Sequence, residues 1–265
     1  MPFTINGIGT AYYGRKNTRS YASNCDACQS EALLTDYETG HFFTLVFIPV
    51  IPLGRKQIVA ECSNCMRHRA MPLKQWQTLK DETLEQGLAA VADDMDDAVK
   101  TMELLHAMTT FNEMDEANEL AAACAIQHRN DFEVLLWVGS WHEEQGNHEQ
   151  AQACFSQAIA LQPDNPNSKR IQAIRELDQG KPKAAAHHLE GVRDDADHYD
   201  PGMFLMLANG YQDVGMHTEA LSEYQQLMER GPAFANDKSF RKRVKASEKA
   251  QNVSNSCLPK TGLFG

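Results

Sequence analysis

Small residues recur at a fixed interval through the second half of the chain. Ala117, Ala151 and Ala185 are each 34 residues apart, and Ala220 follows 35 residues later. A period near 34 predicts a stacked array of helix–turn–helix units, because each such unit buries its apolar face only against its neighbours. In this arrangement the alanine lies on the second helix of each unit, where the two backbones come closest. The fold class is therefore predicted to be mainly α.

Glycines and prolines keep nearly the same interval. Gly146, Gly180 and Gly215 fall at the expected turns between helices, where a residue without Cβ adopts a left-handed conformation without strain. Pro163 and Pro232 each follow their alanine by twelve residues and are placed to end the second helix of a unit. The pattern thus predicts the turns of the array as well as its helices.

These positions resemble the tetratricopeptide repeat family. The most complete units span residues 201–232 and 132–165, whereas residues 166–200 and 98–131 match the pattern less well. The matching residues are Phe204, Leu207, Ala208, Tyr211, Ala220, Tyr224, Leu227 and Pro232 in the first, and Val138, Gly139, Gly146, Ala151, Phe155, Ala158 and Pro163 in the second. His142 stands where the family favours an aromatic residue such as tyrosine. The resemblance implies a four-unit α-solenoid that binds peptides or proteins on a concave face lined by the first helix of each unit.

Four of the seven cysteines form two Cys-x-x-Cys pairs, Cys25 with Cys28 and Cys62 with Cys65. The start of the chain lacks the features of a secretory signal, so the pairs are interpreted as metal ligands rather than disulfides. Four thiolates complete the tetrahedral shell of zinc with no open position, which predicts one structural zinc ion. Iron uses the same four ligands and stays open as an alternative. His68 is interpreted as a surface residue.

The residues around the cysteines resemble a family of small zinc-ribbon domains. The resemblance lies in the segments GIGTAYYGRK at residues 7–16 and HFFTLVFIPVIPLGRKQI at residues 41–58, and its most specific part is FIPVIPLGR at residues 47–55. It covers about residues 5–70 and implies a short β-sheet that holds one metal ion. It implies no enzymatic activity.

The changes in composition predict four regions. Residues 1–71 form the ribbon, and residues 72–97 form a helical linker. Residues 98–234 form four tetratricopeptide-like repeats. Residues 235–265 form a basic capping helix and a flexible tail. The predicted architecture is a mainly α solenoid with a small N-terminal β ribbon.

The distribution of charge restricts the class of partner. Residues 81–165 contain eighteen acidic and two basic residues, so nucleic acid is not expected to bind there. The run Asp93–Asp97 is expected to lie on an exposed helix face. We predict a non-enzymatic scaffold or adaptor that binds a protein or peptide of basic or mixed charge, because no catalytic motif is recognisable. The site residues for that partner are not identified by the sequence.

The apolar segment at residues 42–53 has two interpretations. It is either a central strand of the ribbon or a membrane-contacting segment, in which case the alternative function is a membrane-peripheral scaffold. Twelve residues are too few to span a bilayer, but Arg55, Lys56, Arg67 and Arg69 suit anionic headgroups. The expected location is cytoplasmic, with the membrane-peripheral alternative.

The sequence LPKTG at residues 258–262 matches the short signal that sortases recognise in cell-wall anchoring. Only three residues follow it, without the apolar segment and basic tail that this signal needs. We interpret the match as chance, and continuation of a longer chain into an anchor after Gly265 stays open.

Overall fold

The computed structural model describes residues 2–259. The chain divides between Gln127 and His128 into two compact units, and each is described by itself. The first unit contains the ribbon and three helices, and the second contains paired helices and a terminal helix.

The ribbon is an antiparallel sheet in which each strand pairs with the next along the chain. Its strands are β1 (Thr4–Ile5), β2 (Ile8–Asn24), β3 (Glu31–Leu45), β4 (Ile48–Cys62) and β5 (Arg69–Pro72). Tyr13, Gly40 and Arg55 lie side by side across the three long strands and fix their register. The four paired cysteines lie at one end of the long strands, and the turn at Val46 and Phe47 lies at the other.

The ribbon has a small apolar core. Among the described residues 2–72, the buried apolar side chains are Cys25, Leu34, Tyr37, Ile58 and Cys62. Two of these five belong to the paired cysteines, so the cysteine cluster is a large part of the core. A domain with so few buried side chains needs an additional constraint such as a metal ion to stay folded.

Three helices follow the ribbon: α1 (Leu73–Asp93), α2 (Ala98–Phe111) and α3 (Met114–Gln127). The predicted linker is thus a single helix, α1, and Gly87 on it lets the Leu104 side chain of α2 approach closely. The expectation for the acidic run was wrong, because α1 ends at Asp93. Asp97 instead caps α2, where its carboxylate accepts hydrogen bonds from the N–H groups of Val99 and Lys100.

The second unit contains three helix pairs and a terminal helix. They are α4 (Phe132–Glu144) with α5 (His148–Leu161), α6 (Pro166–Asp178) with α7 (Pro182–Arg193), α8 (Pro201–Asp213) with α9 (His217–Arg230), and α10 (Lys238–Ala250). A short 3-10 helix, Pro232–Asn236, precedes α10. The three turn glycines have φ between 69° and 79°, which confirms the predicted left-handed turns. Ala117, Ala151, Ala185 and Ala220 are fully buried, as the period predicts.

Close packing explains the residue types inside each pair. A Cβ built on Gly139 of α4 would lie 2.6 Å from the ring of Phe155 on α5, so a larger residue there would have to displace that ring. At the end of the array, α10 buries Phe240 and Val244, and the Phe240 ring meets Tyr224 edge-on with 5.2 Å between centroids. This is the packing expected of a helix that covers the last apolar face.

The segment after α10 folds back onto it. The buried carboxylate of Glu248 accepts hydrogen bonds from the Ser256 hydroxyl at 2.8 Å and from the Cys257 N–H at 2.7 Å. Leu258 is buried against the same core. Residues 260–265, which include part of the predicted tail and of the LPKTG sequence, lie outside the described residues.

His142 is expected to make the stability of the second unit depend on pH. This residue of α4 is only 3 % exposed, and its burial lowers its pKa below the usual 6.5. As pH falls through 6.5, the unfolded chain takes up a proton that the folded chain does not, so stability decreases. We expect the free energy of unfolding to be smaller at pH 5.5 than at pH 7.5, and the H142Q variant to lose part of that difference. Urea titrations at both pH values measure the free energy of unfolding. If the wild type and H142Q depend equally on pH, His142 is not the source of the pH dependence.

No helix among residues 2–259 is long and apolar enough to cross a membrane.

Candidate metal centre and repeat groove

The two cysteine pairs adopt the same backbone turn. Cys25 donates its N–H to the Ser30 carbonyl at 3.0 Å, and Cys62 donates its N–H to the Arg67 carbonyl at 3.0 Å. In the opposite direction, the Gln29 N–H donates to the Cys25 carbonyl at 2.8 Å, and the Met66 N–H donates to the Cys62 carbonyl at 2.9 Å. The same turn therefore occurs twice, and each turn brings its two sulfurs to one side.

The four sulfurs come together in one cluster. Their Sγ atoms all lie within 4.8 Å of one another, with 3.7 Å between Cys25 and Cys65 and 3.9 Å between Cys28 and Cys62. A tetrahedron with zinc–sulfur bonds of about 2.3 Å has edges of about 3.8 Å. The separations far exceed a disulfide bond of about 2.05 Å. The donor set thus fits a tetrahedral metal ion.

Hydrogen bonds to sulfur favour the thiolate form that binds metal. The N–H groups of Ala27 and Asn64 donate to the Sγ atoms of Cys25 and Cys62 at 3.4 and 3.3 Å. The Ser30 hydroxyl donates to Cys28 Sγ at 3.2 Å. Such outer hydrogen bonds orient the ligands and stabilise their negative charge.

The pKa values of the cysteines follow from these contacts. Hydrogen bonds from Ser30 lower the pKa of Cys28 to about 6, and hydrogen bonds from the N–H groups of Cys65 and Asn64 lower that of Cys62. At Cys65 a hydrogen bond involving the Arg67 backbone lowers the pKa, but burial and the three neighbouring thiols outweigh it and raise the pKa to about 11. Four adjacent thiols do not all ionise unless a cation compensates their charge.

His68 does not belong to the cluster, and its interpretation as a surface residue was wrong. Its side chain is only 8 % exposed, and its Nδ1 lies 3.2 Å from the Met66 carbonyl and 4.0 Å from a Glu61 carboxylate oxygen. The ring lies beside Tyr12, with 5.9 Å between the ring centroids. The four cysteine sulfurs therefore form a tetrahedral donor set that does not include His68.

One residue in each turn has a backbone conformation that suits glycine. Gln29 and Met66 have φ of 56° and 60°, and the Met66 side chain is 57 % exposed. We expect M66G to stabilise the ribbon by about 1 kcal/mol, because a left-handed residue with a Cβ costs about 1–2 kcal/mol and glycine recovers most of this. Thermal unfolding of the metal-bound protein measures the shift. M66A removes the same contacts but keeps Cβ, so it is expected not to stabilise, and an equal gain in both variants would contradict the argument.

The repeats contribute a groove that the sequence did not define. A cavity of about 700 Å³ lies between α4, α5 and α6. Its apolar lining comes from Leu136, Trp137, Phe155, Ile171 and Ile174. Its charged lining comes from Glu133, Glu143, Asp178, Arg170 and Arg175. The first helices of two successive units, α4 and α6, supply most of these residues.

Two other cysteines lie among the helices. Cys124 and Cys154 are buried on α3 and α5. Burial raises the pKa of Cys154, so its thiol stays protonated and unreactive near neutral pH.

Comparison with known proteins identifies the repeats in part. The tetratricopeptide repeat family model matches residues 132–165, the helix pair α4 and α5. No curated protein sequence matches the chain. The zinc-ribbon resemblance stays a prediction.

Several solved structures align with the chain at low identity. YrrB, described as a tetratricopeptide repeat protein with an unusual peptide-binding site, is 15% identical over 64% of this chain and 95% of its own, with a TM-score of 0.46. MamA is 14% identical over 62% of this chain and 95% of its own, with a TM-score of 0.47. The pilF protein of Pseudomonas aeruginosa is 18% identical over 66% of this chain and 89% of its own, with a TM-score of 0.45. The repeat assignment rests on the family match and on the recurring helix pairs described above.

Proposed function

We propose that the chain is a non-enzymatic protein-interaction adaptor, in which a zinc-bound ribbon precedes tetratricopeptide repeats that bind a peptide. The observation that carries this proposal is the groove between α4, α5 and α6, where partly exposed apolar side chains and charged side chains line a cavity of about 700 Å³. A cavity with apolar walls and a few polar groups is the usual form of a binding site.

The lining of the groove indicates the chemistry of its ligand. The guanidinium of Arg175 already makes hydrogen bonds within the protein. It donates to the Gln152 carbonyl at 3.2 Å and to the Ser156 hydroxyl at 3.1 Å. Arg170 donates to the side chain of Asn167 and to the His198 carbonyl. The carboxylates of Glu133, Glu143 and Asp178 lie on exposed residues of the same lining.

These features support a peptide with an apolar side chain next to a cation. The apolar side chain packs against Trp137 and Ile174, and Lys or Arg pairs with the carboxylates. The acidic excess in residues 81–165 also favours a positively charged ligand. Salt weakens such binding.

In this proposal the metal has a structural role. Cys25, Cys28, Cys62 and Cys65 would hold one zinc ion, with iron as the less favoured alternative. Zinc supplies a cross-link between the two turns and leaves no coordination position for a substrate. A cytoplasmic location is proposed with this function.

A peptide array with a charge-inverted groove tests the proposal. Twelve-residue peptides of varied charge and apolar content are screened, and hits are measured by fluorescence anisotropy at low and high salt. We expect peptides with a cation beside a large apolar residue to bind, and I174K to weaken them at least tenfold. I126K is the matched control, because Ile126 is 73 % exposed and lies outside the groove.

Two results would contradict the proposal. The first is a wild-type protein that selects no peptide from the array. The second is an I174K variant that binds the selected peptides as well as I126K does.

A further inference from the structure

The end of the ribbon opposite the cysteines is an exposed apolar surface, here called the apolar tip. It consists of residues 45–53, which are all exposed, together with Phe3, Ile5 and Ile8. The large apolar side chains of the tip are between 47 % and 70 % exposed. Residues 2–14 and 42–54 contain no Asp, Glu, Lys, Arg or His. Contiguous apolar surface of this kind marks an interaction site.

Both faces of the hairpin are apolar in the tip. The register of β4 against β3 places Ile48 and Ile51 on one face of the sheet and Pro49 and Pro52 on the other, and all four residues are exposed. A protein partner that packs on one face would leave the other apolar face exposed to water. A medium that surrounds the hairpin end covers both faces, and the acyl region of a bilayer is such a medium.

The turn at the end of the tip carries conformational strain. Val46 and Phe47 have φ of 51° and 63°, in the left-handed region. Two-residue turns of this kind favour Asn-Gly, since β-branched and aromatic residues are costly there. The turn thus keeps two apolar residues that lower the stability of the ribbon, and strain at an exposed position indicates a functional constraint.

The polar backbone of this turn is satisfied inside the protein. Phe47 donates its N–H to the Gly7 carbonyl at 3.0 Å, and its own carbonyl accepts the Tyr13 hydroxyl at 2.6 Å. Gly7 permits this contact, since a Cβ there would lie 2.8 Å from the Phe47 nitrogen. These two backbone groups therefore need no water when the turn leaves solvent.

A band of cations borders the tip. Arg15 and Lys56 lie on either side of Thr39, and Arg55 lies beside Gly40, on the first residues beyond the uncharged segments. Lys16 adds a fourth cation, while Arg15 and Arg55 are each paired with a carboxylate, of Glu61 and Glu38 respectively, at 2.6 Å. Cations placed just behind an apolar surface match the headgroups of anionic lipids.

Strand pairing with a second chain is disfavoured at the tip. Pro49 and Pro52 deprive this part of β4 of two N–H donors, and prolines on an exposed strand prevent edge-to-edge association. The same unpaired strand excludes deep insertion, because open edges are not tolerated in the hydrocarbon region. An insertion depth of roughly 5–10 Å corresponds to the turn and about two residues of each strand.

We propose that the apolar tip inserts shallowly into the surface of membranes that carry anionic lipids. Val46 and Phe47 enter the boundary between headgroups and acyl chains. The cations behind them contact the headgroups. This inference concerns the ribbon alone and does not depend on peptide binding by the repeats.

Vesicle flotation of the full-length protein tests the proposal. The probe is vesicles of phosphatidylcholine and phosphatidylserine in roughly a two-to-one ratio, with pure phosphatidylcholine for comparison. We expect the wild type to float with the mixed vesicles and to float less with phosphatidylcholine or at high salt. The double variant V46N/F47G is expected to float at least tenfold less. It introduces the turn sequence that this backbone favours, so its thermal stability is expected to equal or exceed that of the wild type.

Matched variants distinguish lipid contact by the apolar tip from nonspecific hydrophobic adsorption to vesicles. L88N/I126N removes two exposed apolar side chains from helices, and we expect it to float like the wild type. R55Q/K56Q is expected to lose the preference for phosphatidylserine. The proposal is overturned if the wild type does not float, or if V46N/F47G floats equally well. A dimer that depends on Val46 and Phe47, seen by sedimentation without flotation, would assign the tip to a second copy and also overturn it.

Discussion

The C62S variant is expected to lose the bound metal and to unfold the ribbon. Cys62 is fully buried and contributes both to the sulfur cluster and to the small core around Leu34. A structural zinc site supplies roughly 10–16 kcal/mol of apparent binding free energy, whereas a domain of this size retains little stability without it. Loss of one thiolate opens the shell, and the remaining core is too small to compensate.

Elemental analysis and limited proteolysis measure this result. We expect about one metal ion per wild-type chain and a small fraction of that in C62S. Cleavage is expected to appear within the ribbon, while helices α4 to α10 stay resistant. Zinc rather than iron in the wild type would settle the identity of the metal.

C257S is the matched control for the cysteine variant. Cys257 lies far along the chain from the cluster, and its thiol is held beside the Glu248 carboxylate, which serine also reaches. Metal content and protease resistance of the ribbon are expected to be unchanged in C257S. Folded wild-type protein with less than half an equivalent of metal would refute the site.

The sequence was sufficient to place the cluster and the repeat turns. A Cys-x-x-Cys turn is local, so two of them predict paired sulfurs before the sheet that joins them is known. The turn glycines and buried alanines are equally local, because each depends on the contact between two consecutive helices. The sequence carries a further signal in the helix-capping residues Asp97, Asp131, Asn165 and Asp200, which follow nearly the same interval. Their spacing would have identified α2 and α3 as a repeat-like pair more clearly than Ala117 alone.

The groove and the tip depend on register and could not be predicted in the same way. Which residues of α4 and α6 face one cavity depends on how successive pairs pack. The apolar segment at residues 42–53 indicates a buried strand, because a continuous apolar run is typical of strands that are buried on both faces. The structure instead leaves residues 45–53 exposed and buries Thr44 beneath them. Local hydrophobicity does not reveal that this end of the hairpin stays exposed to solvent.

Replacing Arg193 by methionine is expected to destabilise the second unit by about 2–4 kcal/mol. Arg193 lies at the end of α7 and donates to the Glu223 carboxylate of α9 at 2.8 Å, and Glu223 is buried. The guanidinium also stacks over the Phe204 ring at 4.5 Å. Methionine preserves most of that packing, so the loss reports the uncompensated buried carboxylate, reduced somewhat because the Arg193 side chain is 22% exposed.

A double-mutant cycle with Glu223 separates the charge from the packing. The second carboxylate oxygen of Glu223 has no hydrogen-bond partner among the described residues, so this ion pair is incompletely satisfied. Replacing a buried ion pair by apolar side chains of similar size is often neutral, because the cost of desolvating both charges disappears with their attraction. We therefore expect R193M/E223L to recover to within about 1 kcal/mol of the wild type in urea unfolding. If the two single losses simply add in the double variant, Arg193 contributes through its other contacts, with Gln226 and Phe204, and not through compensation of Glu223.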